Sequence, residues 1–213
     1  MHIAIFGASR GVGRAAVDAV DAAVAAGHTV TAFSRTAWTP ASDNITVVAG
    51  DVLDPAAVRP ALAGADAVLV SLGVTPGKGA TTPEDVCSRG TRTIVDAMKA
   101  SSIERLLIVT SYGVGDTRSR TPLLFSIFAK TILRGIMADK ETQERDVRNS
   151  GLQWTIVQPL GLTDEPATGH TYVATDGSRE TNRVSRADVG AVCVDALAEG
   201  KFVGACVAVS SAK

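Results

Sequence analysis

Short apolar runs alternate along the chain with longer stretches whose apolar positions recur every three to four residues. The runs are "HIAIF" (2–6), "HTVTAF" (28–33), "ITVVAG" (45–50), "DAVLVSLG" (66–73), "RLLIVTS" (105–111), "LQWTIVQP" (152–159) and "GACVAVS" (204–210). Rich in β-branched residues, each predicts a strand. Helices are predicted over Gly11–Ala26, near 55–63, over about 83–100, near 138–149 and near 186–198, and Gly27 stands where a helix-ending glycine belongs. Strands this apolar, separated by helices, fit a parallel sheet covered on both faces. Repeated β-α-β units therefore predict an α/β fold: a single-domain, Rossmann-type, doubly wound, mostly parallel sheet with helices on both faces. No break in composition and no repeat divides the chain. Residues 1–213 read as one domain, with the substrate region drawn from about 112–185.

Composition narrows the partners. The 213 residues are 46% hydrophobic and 20% charged, which suits a globular core, and the net charge of −1 gives no sign of a nucleic-acid partner. No apolar run reaches the roughly 18–20 residues of a membrane helix. No basic segment precedes the first strand, so a cytoplasmic protein without membrane association is expected. Cys87, Cys193 and Cys206 form no C-x-x-C pair and read as small buried hydrophobes in a reducing compartment. The expected partner is a small molecule, and the expected state is a monomer or weak homodimer.

The first strand runs directly into "FGASRGVGRA" (6–15) and then a helix, the setting of a dinucleotide-binding turn. Gly7 is placed for the tight turn out of the strand, Gly11 for the approach of a pyrophosphate, and Gly13 for close packing of helix on sheet. The helix N-terminus adds unpaired N–H groups and a partial positive charge. The second strand ends in Ser34, Arg35 and Thr36, where an NAD site usually carries an acidic residue for the ribose. A guanidinium there suits a 2′-phosphate, and Arg10 inside the glycine turn is placed to close on the same group, so NADP(H) is the expected cofactor. Asp51, at the end of the third strand, is a candidate acceptor for the adenine amino group or a helix cap, with Val52 covering the ring. "SLG" (71–73) and "TSYG" (110–113) end the fourth and fifth strands, where ligands of open α/β sheets sit.

Together these motifs resemble the atypical short-chain dehydrogenases/reductases, and within them the NADPH-dependent flavin and biliverdin reductases. The matching pieces run through nearly the whole chain: "IAIFGAS", "GDVLDPAAV", "AVLVSLG", "RGTRTIVDAMKA", "VTS", "SGLQWTIVQP", "GHTYVATDG" and "VSRADVG". The resemblance implies cofactor contacts at Gly7, Ser9, Arg10, Gly11, Val12, Arg35, Asp51, Val52, Leu72 and Gly73. It places Ser111 beside the nicotinamide and Pro159, Leu160, Gly161 and Leu162 at the carboxamide end. The substrate-side histidine of that group falls on Glu144, or on Lys140 one turn earlier. The stretch 117–135 is longer and more apolar than its counterpart, and its 123–133 part is placed to roof a pocket, pack on the sheet or form a dimer contact.

Residue counting limits the chemistry. Short-chain dehydrogenases of alcohols and sugars use a Y-x-x-x-K pair, the lysine lowering the tyrosine pKa. Here Asp116 lies four residues past Tyr112, and Asp176 four past Tyr172. The candidate catalytic groups are Ser111, Tyr112 and Lys140, the last two as a pair only if the fold joins them. His2, His28 and His170 have no metal-ligand spacing, so no metal is expected, and no G-x-S-x-G elbow is present. The expected activity is hydride transfer from NADPH to a flat conjugated acceptor such as FMN or a tetrapyrrole, which asks mainly for orientation and exclusion of water. The alternatives are a non-catalytic NmrA-like redox sensor and a sugar epimerase or dehydratase.

Overall fold

The computed structural model describes residues 1–22, 27–74, 85–121 and 133–213. Its chain order is β1 (His2–Phe6), α1 (Gly11–Ala22), β2 (Thr29–Ser34), β3 (Ile45–Ala49), α2 (Pro55–Ala61), β4 (Ala67–Val70), α3 (Val86–Ala100), β5 (Arg105–Val109), a 3-10 turn (Gly115–Arg120), α4 (Arg134–Arg148), β6 (Gln153–Pro159), β7 (Gly161–Thr163), β8 (Thr171–Ala174), β9 (Arg183–Ser185), α5 (Arg186–Ala198) and β10 (Ala205–Ser211). Eight strands form one sheet in the order β3-β2-β1-β4-β5-β6-β10-β8, and β7 pairs with β9 apart from it. All pairings of the main sheet are parallel except β10 with β8, so the expected doubly wound sheet is present with an antiparallel edge. The predicted end of α1 at Ala26, the first two positions of the helix expected from 83, and most of the 123–133 stretch lie outside the described residues.

Strand alternation builds two cores. Ile3 and Ile5 face the layer of α1 and α5 together with Leu69, Leu107, Val157 and Val207. Ala4 and Phe6 face the layer of α2 and α3 with Val68, Val70, Leu106, Ile108 and Ile156. Burial of both strand faces is why these runs carry no polar alternation. On the first layer, α1 and α5 approach until a Cβ on Gly190 would stand 2.6 Å from the carbonyl carbon of Ala15. Cys87 and Cys193 are buried and Cys206 half-buried, all three unbridged.

α4 buries a polar face. Asp139, Lys140, Gln143 and Glu144 recur at helical spacing and are all buried. The Asp139 carboxylate accepts from Cys87 N (2.8 Å) and Ser88 N (3.0 Å), capping α3, whose own Asp85 makes no side-chain cap. Gln143 Nε2 donates to Thr91 Oγ1 at 2.8 Å. α4 is thus fixed by hydrogen bonds to α3 and to the strand ends, where most helices of such a fold are fixed by apolar contact.

The loop before α5 is held the same way. Ser185 caps α5 by accepting from Asp188 N, and the Asp188 carboxylate accepts from Thr168 N, Thr168 Oγ1, Gly169 N and Ser185 Oγ at 2.9–3.2 Å. Burial pushes the Asp188 pKa up, but the bonds from Gly169, Ser185 and Thr168 outweigh it and hold it below the ordinary carboxylate value. A depressed folded-state pKa gives stability that is present above the unfolded value and is lost as pH falls through the folded one. Asp188→Asn is expected to cost about 2 kcal/mol at neutral pH, the scale of charge-assisted bonds left poorly matched. The deficit relative to wild type should shrink as pH falls, because the variant lacks the carboxylate whose stability acid removes; urea titrations at pH 7 and pH 3 check both.

Candidate functional site

The strand order reverses direction between β1 and β4, the switch point where ligands bind in open α/β sheets. There the chain leaves β1 through Gly7, whose N–H donates to Phe33 O together with that of Ala8, each at 3.1 Å. Gly7 has φ +86, and a Cβ on it would overlap the carbonyl oxygen of Ser71. A Cβ on Gly13 would overlap the Gly7 carbonyl oxygen and stand 2.9 Å from its carbon, so α1 begins pressed on the turn. Gly11 has φ +62 and no atom within 4 Å of where its Cβ would be. One glycine is therefore needed for the turn, one for packing, and one opens onto empty space. No acidic residue occupies the first turn of α1, leaving its N-terminal amides and dipole unopposed there.

That space is a groove of about 670 Å³. One end is lined by Phe33, Ser34 and Arg35 of β2 and by Gly50, Asp51, Val52 and Leu53 after β3. Its middle is the turn, Gly7 with Ser9, Arg10, Gly11 and Val12, facing Ser71, Leu72, Gly73 and Val74 after β4. Its other end is lined by Val86, Val109, Thr110 and Lys140, with Leu162, Asp164 and Arg186 from the β7–α5 region. Arg10 and Arg35 are both exposed. Asp51 Oδ1 accepts from Leu53 N at 2.9 Å, while capping of α2 falls to Asp54, which accepts from Ala56 N. The fold thus places Ser9, Arg10, Gly11, Val12, Arg35, Asp51, Val52, Leu72, Gly73, Leu162 and Lys140, all named from sequence, along one groove.

Of the expected catalytic residues, Lys140 lines the groove, and Ser111 and Tyr112 do not. Lys140 Nζ donates to Leu72 O and Val109 O, both at 3.3 Å, and so points to the ends of β4 and β5. Tyr112 is buried; its hydroxyl donates to Gly177 O (3.0 Å) and accepts from Arg179 Nη1 (2.7 Å), whose guanidinium lies over the ring. The phenol is held by the β8–β9 connection, no hydrogen bond joins it to Lys140 among the described residues, and no tyrosine–lysine pair is assembled. Ser111 Oγ donates back to Tyr112 O and is not on the groove wall; Thr110, one residue earlier, is. Pro159 ends β6, where its carbonyl accepts from Tyr112 N. Leu160 packs with Tyr112 and Ala208. A Cβ on Gly161 would stand 2.9 Å from Asn182 O. These three, like Gly13, shape the scaffold, and only Leu162 of the 159–162 stretch reaches the groove.

Sequence reasoning missed Thr110, Val86, and the Arg186–Asp164 ion pair (2.7 Å) at the groove's mouth. It named Glu144 without a role. Glu144 is buried, accepting at Oε1 from Thr110 Oγ1 (2.6 Å) and Gln158 Nε2 (2.9 Å). The signal for this group was the run of polar residues at helical spacing in "ADKETQE", which a helix lying on a sheet does not ordinarily bury. No group of three or more metal-ligating side chains occurs among the described residues.

Residues 7–200 match the NAD(P)H-binding family, and the chain belongs to it. It is 32% identical over 179 residues to a chloroplastic protein of Arabidopsis thaliana, covering 73% of this chain and 53% of that protein. A second chloroplastic Arabidopsis protein is 29% identical over 136 residues, covering 62% and 47%. The chain therefore spans about half the length of the curated relatives it matches. Among solved structures, a Rossmann-fold NAD(P)-binding family protein of Shigella flexneri is 26% identical with a TM-score of 0.72, covering 99% of this chain and 93% of that one. A short-chain dehydrogenase/reductase of Veillonella parvula in complex with NADP superposes at 0.81 with 19% identity, covering 99% and 94%. An anaerobillin reductase of Escherichia coli does so at 0.76 with 24% identity, covering 99% and 97%. The last two likenesses are of fold.

Proposed function

We propose that the protein is an NADPH-dependent reductase of flat, conjugated acceptors, such as free FMN or a linear tetrapyrrole. The observation that carries this reading is the groove itself. It runs from Arg35 and Asp51 past the glycine turn to Thr110 and Lys140, and among the described residues no tyrosine–lysine pair is assembled at its far end. The residues present fit a dinucleotide: the turn would be filled by a Cβ at Gly7 or Gly13, and it opens at Gly11 beside unopposed helix amides. When bound, NADPH supplies the hydride. Gly11 and the first amides of α1 hold the diphosphate, Arg10 and Arg35 the 2′-phosphate, and Asp51 with Val52 the adenine. Lys140 is fixed by two strand-end carbonyls, which leaves one ammonium hydrogen to orient a ribose hydroxyl. Val86, Val109 and Leu162 give the far end apolar walls that exclude water. The likeness of fold to an anaerobillin reductase agrees with this acceptor class.

The test is NADPH oxidation followed with FMN, riboflavin, biliverdin and quinones in parallel. Turnover is expected only with an acceptor present, and Tyr112→Phe is expected to change it by less than about fivefold, since its hydroxyl is held by Gly177 and Arg179 and the residue is off the groove wall. A thousandfold loss in Tyr112→Phe would restore the epimerase or dehydratase reading. Tight NADPH binding with no acceptor reduced, and a changed affinity for a protein partner, would replace this reading with that of a redox sensor.

A further inference from the structure

We propose that Thr110 and Glu144 form a proton path from the protein interior into the groove, supplying the proton that accompanies reduction of the acceptor. This rests on the reductase reading above. Thr110 is the residue of the β5 end that both lines the groove and bonds inward, its hydroxyl 2.6 Å from Glu144 Oε1. Glu144 is 2% exposed, and its Oε2 has no hydrogen-bond partner among the described residues. A buried carboxylate with one oxygen lacking a hydrogen bond is costly to keep charged, which favours the protonated acid.

The groups around Glu144 define when it holds that proton. From β5 comes Thr110, and from β6 Gln158, which also donates to Val114 O. From α4 come Arg148, with Nη2 at 3.9 Å, and Lys140 one turn back, already bound to Leu72 O and Val109 O. From the 3-10 turn come Asp116, which takes Arg148 at 2.7 Å, and Gly115, where a Cβ would overlap Glu144 Oε2. From β10 comes Cys206, against Arg148. Burial pushes the Glu144 carboxyl up; the bonds from Thr110 and Gln158 and the charge of Arg148 pull it down, Asp116 adds to the rise, and burial prevails. A raised pKa keeps the proton to higher pH than a solvated carboxyl does and loses it as pH rises through that value.

The step is a rotation and three proton transfers. When Glu144 is ionised, Thr110 donates to it. When Oε1 carries the proton, Glu144 donates to Thr110 Oγ1 and the threonine hydrogen turns to the groove. That O–H bond breaks as the acceptor's heteroatom takes the proton. Thr110 recovers it from Glu144, and Glu144 from solvent past Asp116 and Arg148. The two electrons and the other hydrogen come from NADPH, as the reading above requires. Glu144 acts through Thr110, so its effect is legible in pH dependence.

The experiment measures kcat for NADPH oxidation by FMN against pH in wild type, Glu144→Gln, Thr110→Val and Thr110→Ser. At the acid end kcat is expected about 100-fold lower in Glu144→Gln and Thr110→Val, the low end of the range for positioned proton transfer. The gap should close as pH rises, KM and NADP⁺ affinity should hold, and Thr110→Ser should restore the wild-type profile. Infrared spectra of the wild type should show a protonated carboxyl band, absent in Glu144→Gln, that fades over the same pH range as the activity. Should Glu144→Gln fail to fold, the two threonine variants decide. Parallel pH profiles in wild type and Thr110→Val, or an infrared band that does not track activity, overturn the path and leave the reductase reading standing. A wild type that oxidises NADPH with no acceptor at any pH overturns the reductase reading and the path with it.

Discussion

Gly13→Val is expected to destabilise the fold strongly, and Gly11→Val to keep the fold and lose the cofactor. The two residues are two positions apart on the same turn, and the contrast follows from what each faces. A side chain on Gly13 meets the Gly7 backbone, which is pinned by bonds from Gly7 and Ala8 to Phe33 O and by the close carbonyl of Ser71. Neither neighbour is the end of a flexible side chain, so the cost should exceed the usual overpacking range of about 1–3 kcal/mol. A loss of about 4 kcal/mol corresponds to a Tm lower by roughly 8–16 °C in a chain of this size. Gly11 faces no atom within 4 Å, so valine there brings only the strain of φ +62, about 1–2 kcal/mol. It does, however, put three carbons where a diphosphate must approach the amides of α1. NADPH affinity should fall more than about 100-fold, or about 2.7 kcal/mol. Circular dichroism melts and cofactor titration on the same samples separate the outcomes. A folded Gly11→Val protein with native NADPH affinity would show that the phosphate site is elsewhere.

How far the sequence reached depended on what each segment is buried against. β1, the turn and α1 were legible because an apolar run, a glycine spacing and a helical period coincide there. The main strands were legible because both faces are buried. β4 was expected to reach Gly73 but ends at Val70, since Ser71–Val74 leave the ladder to line the groove. β7, β8 and β9 were not legible. They have three or four residues each, β7 is mostly exposed and β8 only partly buried, and their partners lie about 20 or more residues away, so no local period marks them. α4 starts at Arg134, four residues before the expected position, because its buried face is written in Asp139, Lys140, Gln143 and Glu144 and hydrophobic periodicity does not register it. The fate of Tyr112 was out of reach for another reason. The groups that hold its hydroxyl, Gly177 and Arg179, stand 65 and 67 residues further along the chain.

Arg35→Ala is expected to weaken NADPH binding about 10- to 150-fold, because one charge-assisted hydrogen bond is worth about 1.5–3 kcal/mol. NADH binding should be nearly unchanged, since it has no 2′-phosphate to lose. Arg35 lines the adenosine end of the groove beside Asp51, and Arg10 lines the same groove from the glycine turn. Arg10 makes no ion pair among the described residues, so the phosphate has no carboxylate to displace from it. Arg10→Ala/Arg35→Ala should therefore bring NADPH affinity down to that for NADH. Both guanidinium groups are exposed, so the preference should narrow with salt, as the Debye length falls from about 10 Å at 0.1 M to about 3 Å at 1 M. NADH affinity, which uses the glycine turn and the helix amides and neither guanidinium, should move less over the same range. Fluorescence titrations of both cofactors at low and high salt, in wild type and both variants, make the comparison. Equal affinity for NADPH and NADH in the wild type would show that neither arginine reads a phosphate. A wild-type preference that survives the double variant would move the reading group to another wall of the groove, where Lys140 and Arg186 are the other cations among the described residues.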